Sequence, residues 1–495
     1  VLFNSYIFIF VFLPVMLMGY FWLTHRRLII GSKLWLVGGS LFFYSFWNIY
    51  YLPLLLLSIF VNFFVGSALA DAPRESKSLR LLKTFSSKQL LTFGIIFNIA
   101  LLGYFKYTDF LLTNFNGVFG SNVPLLHIVL PLGISFFTFT QIAFLVDAYK
   151  GKVKEYDLLN YMLFVSYFPH LLAGPILHHS EMMPQFASRW NLAVRWRHIV
   201  VGLFLFSIGL FKKVVIADTF AEWANAGFDT ATTLNLFEAW ATSLSYTLQL
   251  YFDFSGYTDM AIGMSLMFNI KLPINFNSPY KARDIQDFWR RWHITLSRFL
   301  RDYIYIPLGG NKVSKVRNYF NLFSVFLIGG LWHGAAWTFV AWGALHGMAI
   351  VIHRIWKDFG FRMWDWLGWF ITFNFVNIAW VFFRAKDFEA VEKVLGGMVG
   401  IGGIMLNEKI GEKVINTLSP YGISFGNWLG HINGHDNTIG WTIIAVFVVK
   451  TLQNSNEYAH KVRPTMLFYA FILTLYWYSI TSMTSKVSEF LYFNF

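Results

Sequence analysis

Apolar residues in this chain fall in long unbroken stretches, not in the alternating or one-in-three patterns of a water-soluble fold. The stretches begin near residues 1, 28, 49, 89, 124, 157, 198, 234, 319, 366, 438 and 465. Crossing a bilayer takes about 20 apolar residues in a helix, so the pattern predicts an all-α polytopic membrane protein of about 11–13 membrane-embedded helices, some re-entrant. The first stretch, Val1 to Leu23, has no basic segment ahead of it and no small-residue cleavage site. It is read as a retained span, with Val1 as a non-methionine start codon of bacterial type.

The polar gaps set the orientation. Basic residues cluster at Arg26, Arg27 and Lys33, at Arg74, Lys77, Arg80, Lys83 and Lys88, and at Lys150, Lys152 and Lys154, whereas Asn48–Tyr51 and Asn114–Asn122 carry none. Cytoplasmic loops concentrate Lys and Arg, which places the N-terminus outside and the basic loops inside. Alternation fails at SYFPHLLAGPI, Ser166 to Ile176, because Arg189, Arg195 and Arg197 follow it. A broken, re-entrant segment restores the alternation, and a cavity is expected near Pro169–Pro175 to cover the freed backbone groups. The longer polar stretches are Asp71–Lys88, Lys271–Asn318 and Asn407–Asn437, and no internal repeat is evident. The chain therefore reads as one integral-membrane domain over 1–495, with N-terminal helices in 1–155, a core with re-entrant segments in 156–355 and C-terminal helices in 356–495.

Composition sharpens this picture. The chain is 56% hydrophobic, 20% aromatic and only 13% charged, against about 25% charged in soluble domains. The net charge of +13 sits in short loops, so it reflects membrane orientation and not nucleic-acid binding. With no cysteine, disulfides, thiolate metal sites and a cysteine nucleophile are excluded. A serine acyl-enzyme is not expected either.

Candidate chemistry begins at LWHGAAW, Leu331 to Trp337, inside an apolar run from about Tyr319 to Ile352. An ionisable side chain at that depth is costly and marks a functional site by default. Two further blocks stand nearby: YFDFSGYTDMAIG, Tyr251 to Gly263, and FWRRWHITLSRFLRDYIYIPLGG, Phe288 to Gly310. In the latter, Phe288, Trp292, Leu296 and Phe299 recur at helical spacing while Arg290, Arg291, Arg298 and Arg301 cover other faces. Asp287 with Arg291, and Arg298 with Asp302, are placed to pair at i,i+4. Such a helix suits either anionic lipid headgroups or a phosphorylated substrate. Asp253 and Asp259, in apolar surroundings, either pair internally or line a tunnel. Gly329, Gly330 and Gly334 flank His333 and are expected to leave room for a thin substrate arm. HINGHD, His431 to Asp436, has an H-x4-D spacing but reads as a loop, as do His178, His179 and Glu181; none supplies a convincing third metal ligand. No metal is expected.

Together, the three blocks resemble the membrane-bound O-acyltransferase family, and most of all its bacterial branch of alginate and peptidoglycan O-acetylation. The resemblance runs from LFNSYIFIFVFLP to the closing FLYFNF and is most specific from Tyr251 to His346. It implies a ring of helices around a central tunnel, His333 and His293 as catalytic residues, and Arg290, Arg291, Arg298 and Trp332 as donor-binding residues. Asp253, Asp259, Gly330 and Gly334 would line the tunnel. It further implies acetyl-CoA as donor substrate with no permanently bound cofactor, and residence in the bacterial inner membrane among its lipids. A periplasmic esterase-like partner of SGNH type and a polysaccharide acceptor complete the expectation. A histidine is largely neutral near pH 7 and competent to take a proton from an attacking hydroxyl. Two other readings stay open: a lipid acyltransferase of the same fold, and a transporter using the histidine as a proton relay.

Overall fold

The computed structural model describes residues 2–70, 84–172, 174–410, 412–463, 465–483 and 490–491. Arg74, Lys77, Arg80 and Lys83, and the last four residues of FLYFNF, lie outside them. The described residues are helical almost throughout. Their two strands, Ile404–Asn407 and Ile423–Gly426, pair in parallel within a polar loop.

Among the described residues, six helices are long and apolar enough to cross a membrane: Phe8–His25, Ile49–Leu69, Ser87–Phe119, Trp196–Thr230, Trp337–Asp358 and Asp365–Arg384, with shorter apolar helices at Ile29–Ser45, Ile134–Tyr149 and Met466–Ser482. Most of these starts follow the apolar stretches; the helix from Trp337 begins inside the run read from Tyr319, and another start is displaced. The stretch near residue 124 does not become helical until Ile134. Pro124 and Pro131 interrupt it, and Asp109 accepts the backbone N–H groups of Leu126 at 2.8 Å and Ile128 at 3.3 Å, holding the irregular backbone in place.

Two compact units emerge, both discontinuous in sequence. The first comprises Val1–Leu210, Tyr257–Asn275 and Tyr458–Asn494. Its packing is aromatic: Phe3 stacks on Tyr257 with ring centroids 4.5 Å apart, and Phe168 meets Phe12 edge-on at 5.2 Å. Polar pairs join its helices where lipid supplies no hydrophobic drive. Asn98 donates to Asn62 at 2.6 Å, and Gln141 to Ser58 at 2.8 Å.

The re-entrant segment lies in this unit as two short helices, Leu158–Ser166 and Phe168–Leu171. Nine and four residues span about 14 Å and 6 Å, too little to cross a bilayer. At the break, protein groups meet freed polar atoms. The Phe168 N–H donates to the Ser40 hydroxyl at 3.0 Å, the imidazole Nε2 of His170 meets the Phe164 carbonyl at 2.9 Å, and the surrounding side chains are buried. His178 and His179 are likewise no solvated loop. Both are buried, His179 bonded to Glu155 at 3.1 Å and His178 lying 3.6 Å from Asp147, while Glu181 stays exposed.

The second unit comprises Phe211–Gly256 and Phe276–Glu457. Its centre is a helical hairpin, Lys315–His333 followed by Trp337–Asp358. The single apolar run read from Tyr319 to Ile352 is thus folded back on itself. A Cβ on Gly330 would lie 2.9 Å from Gly343 Cα, and one on Gly347 3.1 Å from the Phe323 carbonyl oxygen. Pairing 330 with 343 and 323 with 347 makes the arms antiparallel and so close that only glycine fits. Both bases of the hairpin meet at one end: Asp358 accepts from Tyr319 at 2.9 Å and lies 3.5 Å from both Lys315 and Arg354.

Candidate active site

The apex of that hairpin carries His333. It is the last residue of a 19-residue helix, about 27 Å from the helix start at ~1.5 Å per residue. Gly334 follows in extended backbone, φ −162° and ψ 154°, and ends the helix. The imidazole is 3% exposed and boxed by aromatic edges, with Trp332, Trp342 and Phe383 at centroid distances of 4.9, 5.1 and 5.1 Å.

His293 is held by a different device. The amphipathic helix expected across Phe288 to Phe299 is broken into Ile285–Arg291 and Ile294–Leu300. Trp292 is extended, and His293 adopts φ 43°, ψ 54°, in the left-handed region. That conformation costs a side-chain-bearing residue about 1–3 kcal/mol and persists where the surroundings over-determine it, often at active sites. His293 is fully buried, its ring 4.9 Å from Phe254 and 6.2 Å from Trp332. Trp332 therefore lies against both histidine rings. Burial pushes the His293 imidazole down to about 3, so it is neutral at physiological pH.

The helix is not a surface-lying one. Phe288, Trp292, Leu296 and Phe299 are all buried, so the apolar face read from the spacing packs inward. Its charges lie at the periphery: Arg290 and Arg301 are exposed, Arg291 and Arg298 half-buried. Arg291 bonds Asp287 at 2.9 Å as its spacing predicted, and Asp302 bonds Arg301 at 2.7 Å.

Gly330 and Gly334 have no open space beside them. A Cβ at Gly330 would meet the Phe339 carbonyl oxygen at 2.4 Å, and one at Gly334 the Phe339 ring at 2.0 Å. In the structure these glycines let the two arms of the hairpin close on one another. Asp253 is buried against Lys213 at 2.7 Å, and Lys213 also reaches Asp218 at 2.9 Å. Sequence reasoning missed Lys213, although a lysine in the apolar stretch from 198 was its signal. Asp259, six residues on along the same helix, is buried in the first unit.

Two motifs fall away. Asp436 of HINGHD bonds Lys409 at 2.6 Å and Asn407 at 2.8 Å, while His431 bonds the buried Glu238 at 3.0 Å, so no His–Asp dyad forms. GISFG, Gly422 to Gly426, spells G-x-S-x-G, but Ser424 sits in a short strand with its hydroxyl donating to the Ile404 carbonyl at 3.2 Å. A nucleophile elbow needs a sharp strand-to-helix turn, which this is not. Among the described residues no group of three or more His, Asp or Glu could hold a metal ion.

Comparison with known proteins agrees with the geometry. The model of the membrane-bound O-acyltransferase family matches residues 41–388. A peptidoglycan O-acetyltransferase of Helicobacter pylori is 56% identical over 436 residues, covering 82% of this chain and 81% of its own length. A probable alginate O-acetylase of Pseudomonas aeruginosa is 40% identical over 412 residues, 82% of this chain and 76% of its own. A teichoic acid D-alanyltransferase of Bacillus subtilis is 28% identical over 275 residues, 52% of this chain and 69% of its own.

Proposed function

The chain belongs to the membrane-bound O-acyltransferase family, and we propose that it carries acetyl groups from cytoplasmic acetyl-CoA toward O-acetylation of a bacterial cell-wall polysaccharide. The acceptor is of the peptidoglycan type, because the relative so named is 56% identical while the alginate relative is 40% identical. The chain itself is a multi-pass membrane enzyme, an O-acyltransferase by family; the bacterial inner membrane is its expected home.

The observation that carries the reading is His333 at the apex of a hairpin whose two bases are charged and meet at one end. Basic residues mark that end as cytoplasmic. A phosphate-rich donor head would then stay with the peripheral arginines Arg290, Arg291 and Arg298, and only a narrow thioester arm would travel inward through a tunnel. At His333 the neutral imidazole takes the proton of the attacking hydroxyl, the oxygen adds to the thioester carbonyl, and the tetrahedral intermediate collapses with loss of the thiolate. His293, neutral and fixed in place, is positioned across Trp332 to hydrogen-bond the reacting groups. The hydroxyl arrives from the opposite face, presented by an SGNH-type periplasmic partner that completes transfer to the glycan.

The test is kinetic. Purified protein with His333→Ala should insert and melt as the wild type does, yet lose about 10²–10⁴-fold in acetyl transfer, the range for a lost general base. Near-normal transfer by the folded variant would remove His333 from the chemistry.

A further inference from the structure

His346 is buried completely, on the second arm of the hairpin, and the mechanism above does not use it. Its Nδ1 accepts a hydrogen bond from the Trp289 indole N–H at 3.2 Å. A neutral imidazole whose Nδ1 accepts must carry its proton on Nε2. That Nε2–H is buried and meets no acceptor among the described residues. Buried donors are nearly always paired, so an unmet one asks for a partner that the protein alone does not supply.

The surroundings narrow the partner. Trp342, Trp289 and Phe375 lie at ring-centroid distances of 4.7, 5.1 and 5.3 Å, all aromatic and uncharged. A single neutral N–H in such a wall suits a neutral carbonyl oxygen, and neither a phosphate nor a cation. The location narrows it further. Trp342 touches His333 on one side and His346 on the other. His346 lies one helical turn beyond Trp342 toward the hairpin's charged base, the end from which the donor enters. Trp289, which fixes the ring, precedes Arg290 and Arg291 on the same short helix.

We infer that His346 is a donor-binding residue whose Nε2–H receives a carbonyl oxygen of the acyl donor's arm, an amide or the thioester itself, as that arm reaches His333. This rests on the acyl-transfer reading of His333. The Trp289 bond fixes the tautomer, and the aromatic wall leaves the arm one polar handle.

Steady-state kinetics of the purified enzyme with its periplasmic partner, acetyl-CoA and a soluble muropeptide acceptor test this. His346→Asn keeps an acceptor toward Trp289 and removes the Nε2 donor. It should raise the KM for acetyl-CoA about three- to tenfold, the worth of one neutral hydrogen bond, with kcat changed less and thermal stability kept. His346→Gln, whose amide nitrogen reaches the Nε2 position, should recover most of that loss. S-ethyl thioacetate, which has no amide, locates the oxygen. Equal kinetics of wild type and His346→Asn on it assign the amide, and a persisting loss assigns the thioester carbonyl. Unchanged KM in folded His346→Asn, or no recovery in His346→Gln, overturns the inference. If His333→Ala is inert while His346→Asn behaves as wild type, only this inference falls; if His333→Ala is fully active, the reading beneath it falls as well.

Discussion

At the scale of single residues, the two histidines differ in what made them legible. His333 announced itself, because an imidazole within an apolar run has few explanations. His293 was placed in the right block but on the wrong backbone. Hydrophobic spacing reports which face of a helix is buried, and it is blind to one residue in the left-handed region. The conformation has a testable consequence. Asparagine tolerates that region well, so His293→Asn should fold while alanine at the same position should lower the melting temperature. There is a pH signature too. Burial lowers the folded-state pKa of His293 to about 3, below the unfolded value of about 6.5. Between those values the unfolded state binds the extra proton, so this residue's share of stability is full above pH ~6.5 and is lost as pH falls toward 3. Melting curves in detergent between pH 7 and 4 should show a smaller decline for His293→Asn than for the wild type. Identical declines would contradict its burial as a neutral group.

At the scale of elements, span starts were readable from hydropathy because lipid imposes length and apolarity on every helix that crosses it. The hairpin was not. Gly334, Ala335 and Ala336 are small and apolar, so they continue a hydropathic run even where the helix ends. The glycines that were read as space for substrate turn out to be where two helices touch. Gly330→Leu should therefore separate the hairpin arms, since its Cβ alone meets the Phe339 carbonyl oxygen at 2.4 Å. Folded yield and transfer should both fall. Gly38→Ala, where nothing lies within 4 Å of the added Cβ, should be silent in the same assays. The arginine-bearing pair of short helices makes a separate prediction. Replacing exposed Arg290 and half-buried Arg291 by glutamine should raise the KM for acetyl-CoA more than it lowers kcat, as lost uniform binding does. Loss of membrane retention with KM unchanged would return those arginines to a lipid-facing role.

At the scale of the molecule, membership in an acyltransferase family was legible because three motifs stand in fixed order from Tyr251 to His346. The buried ionic and polar supports were not, since Lys213 with Asp253, and Glu238 with His431, join residues 40 or more apart in sequence. The proposed function has acetyl groups reach the wall through His333. It is tested most directly in cells lacking the native gene and complemented with wild type or His333→Ala at matched membrane levels. Acetate released by mild base from purified cell wall is the measurement. Acetate should stand at the wild-type level with the first and at the level of the uncomplemented deletion with the second. Wild-type acetate with His333→Ala would contradict it.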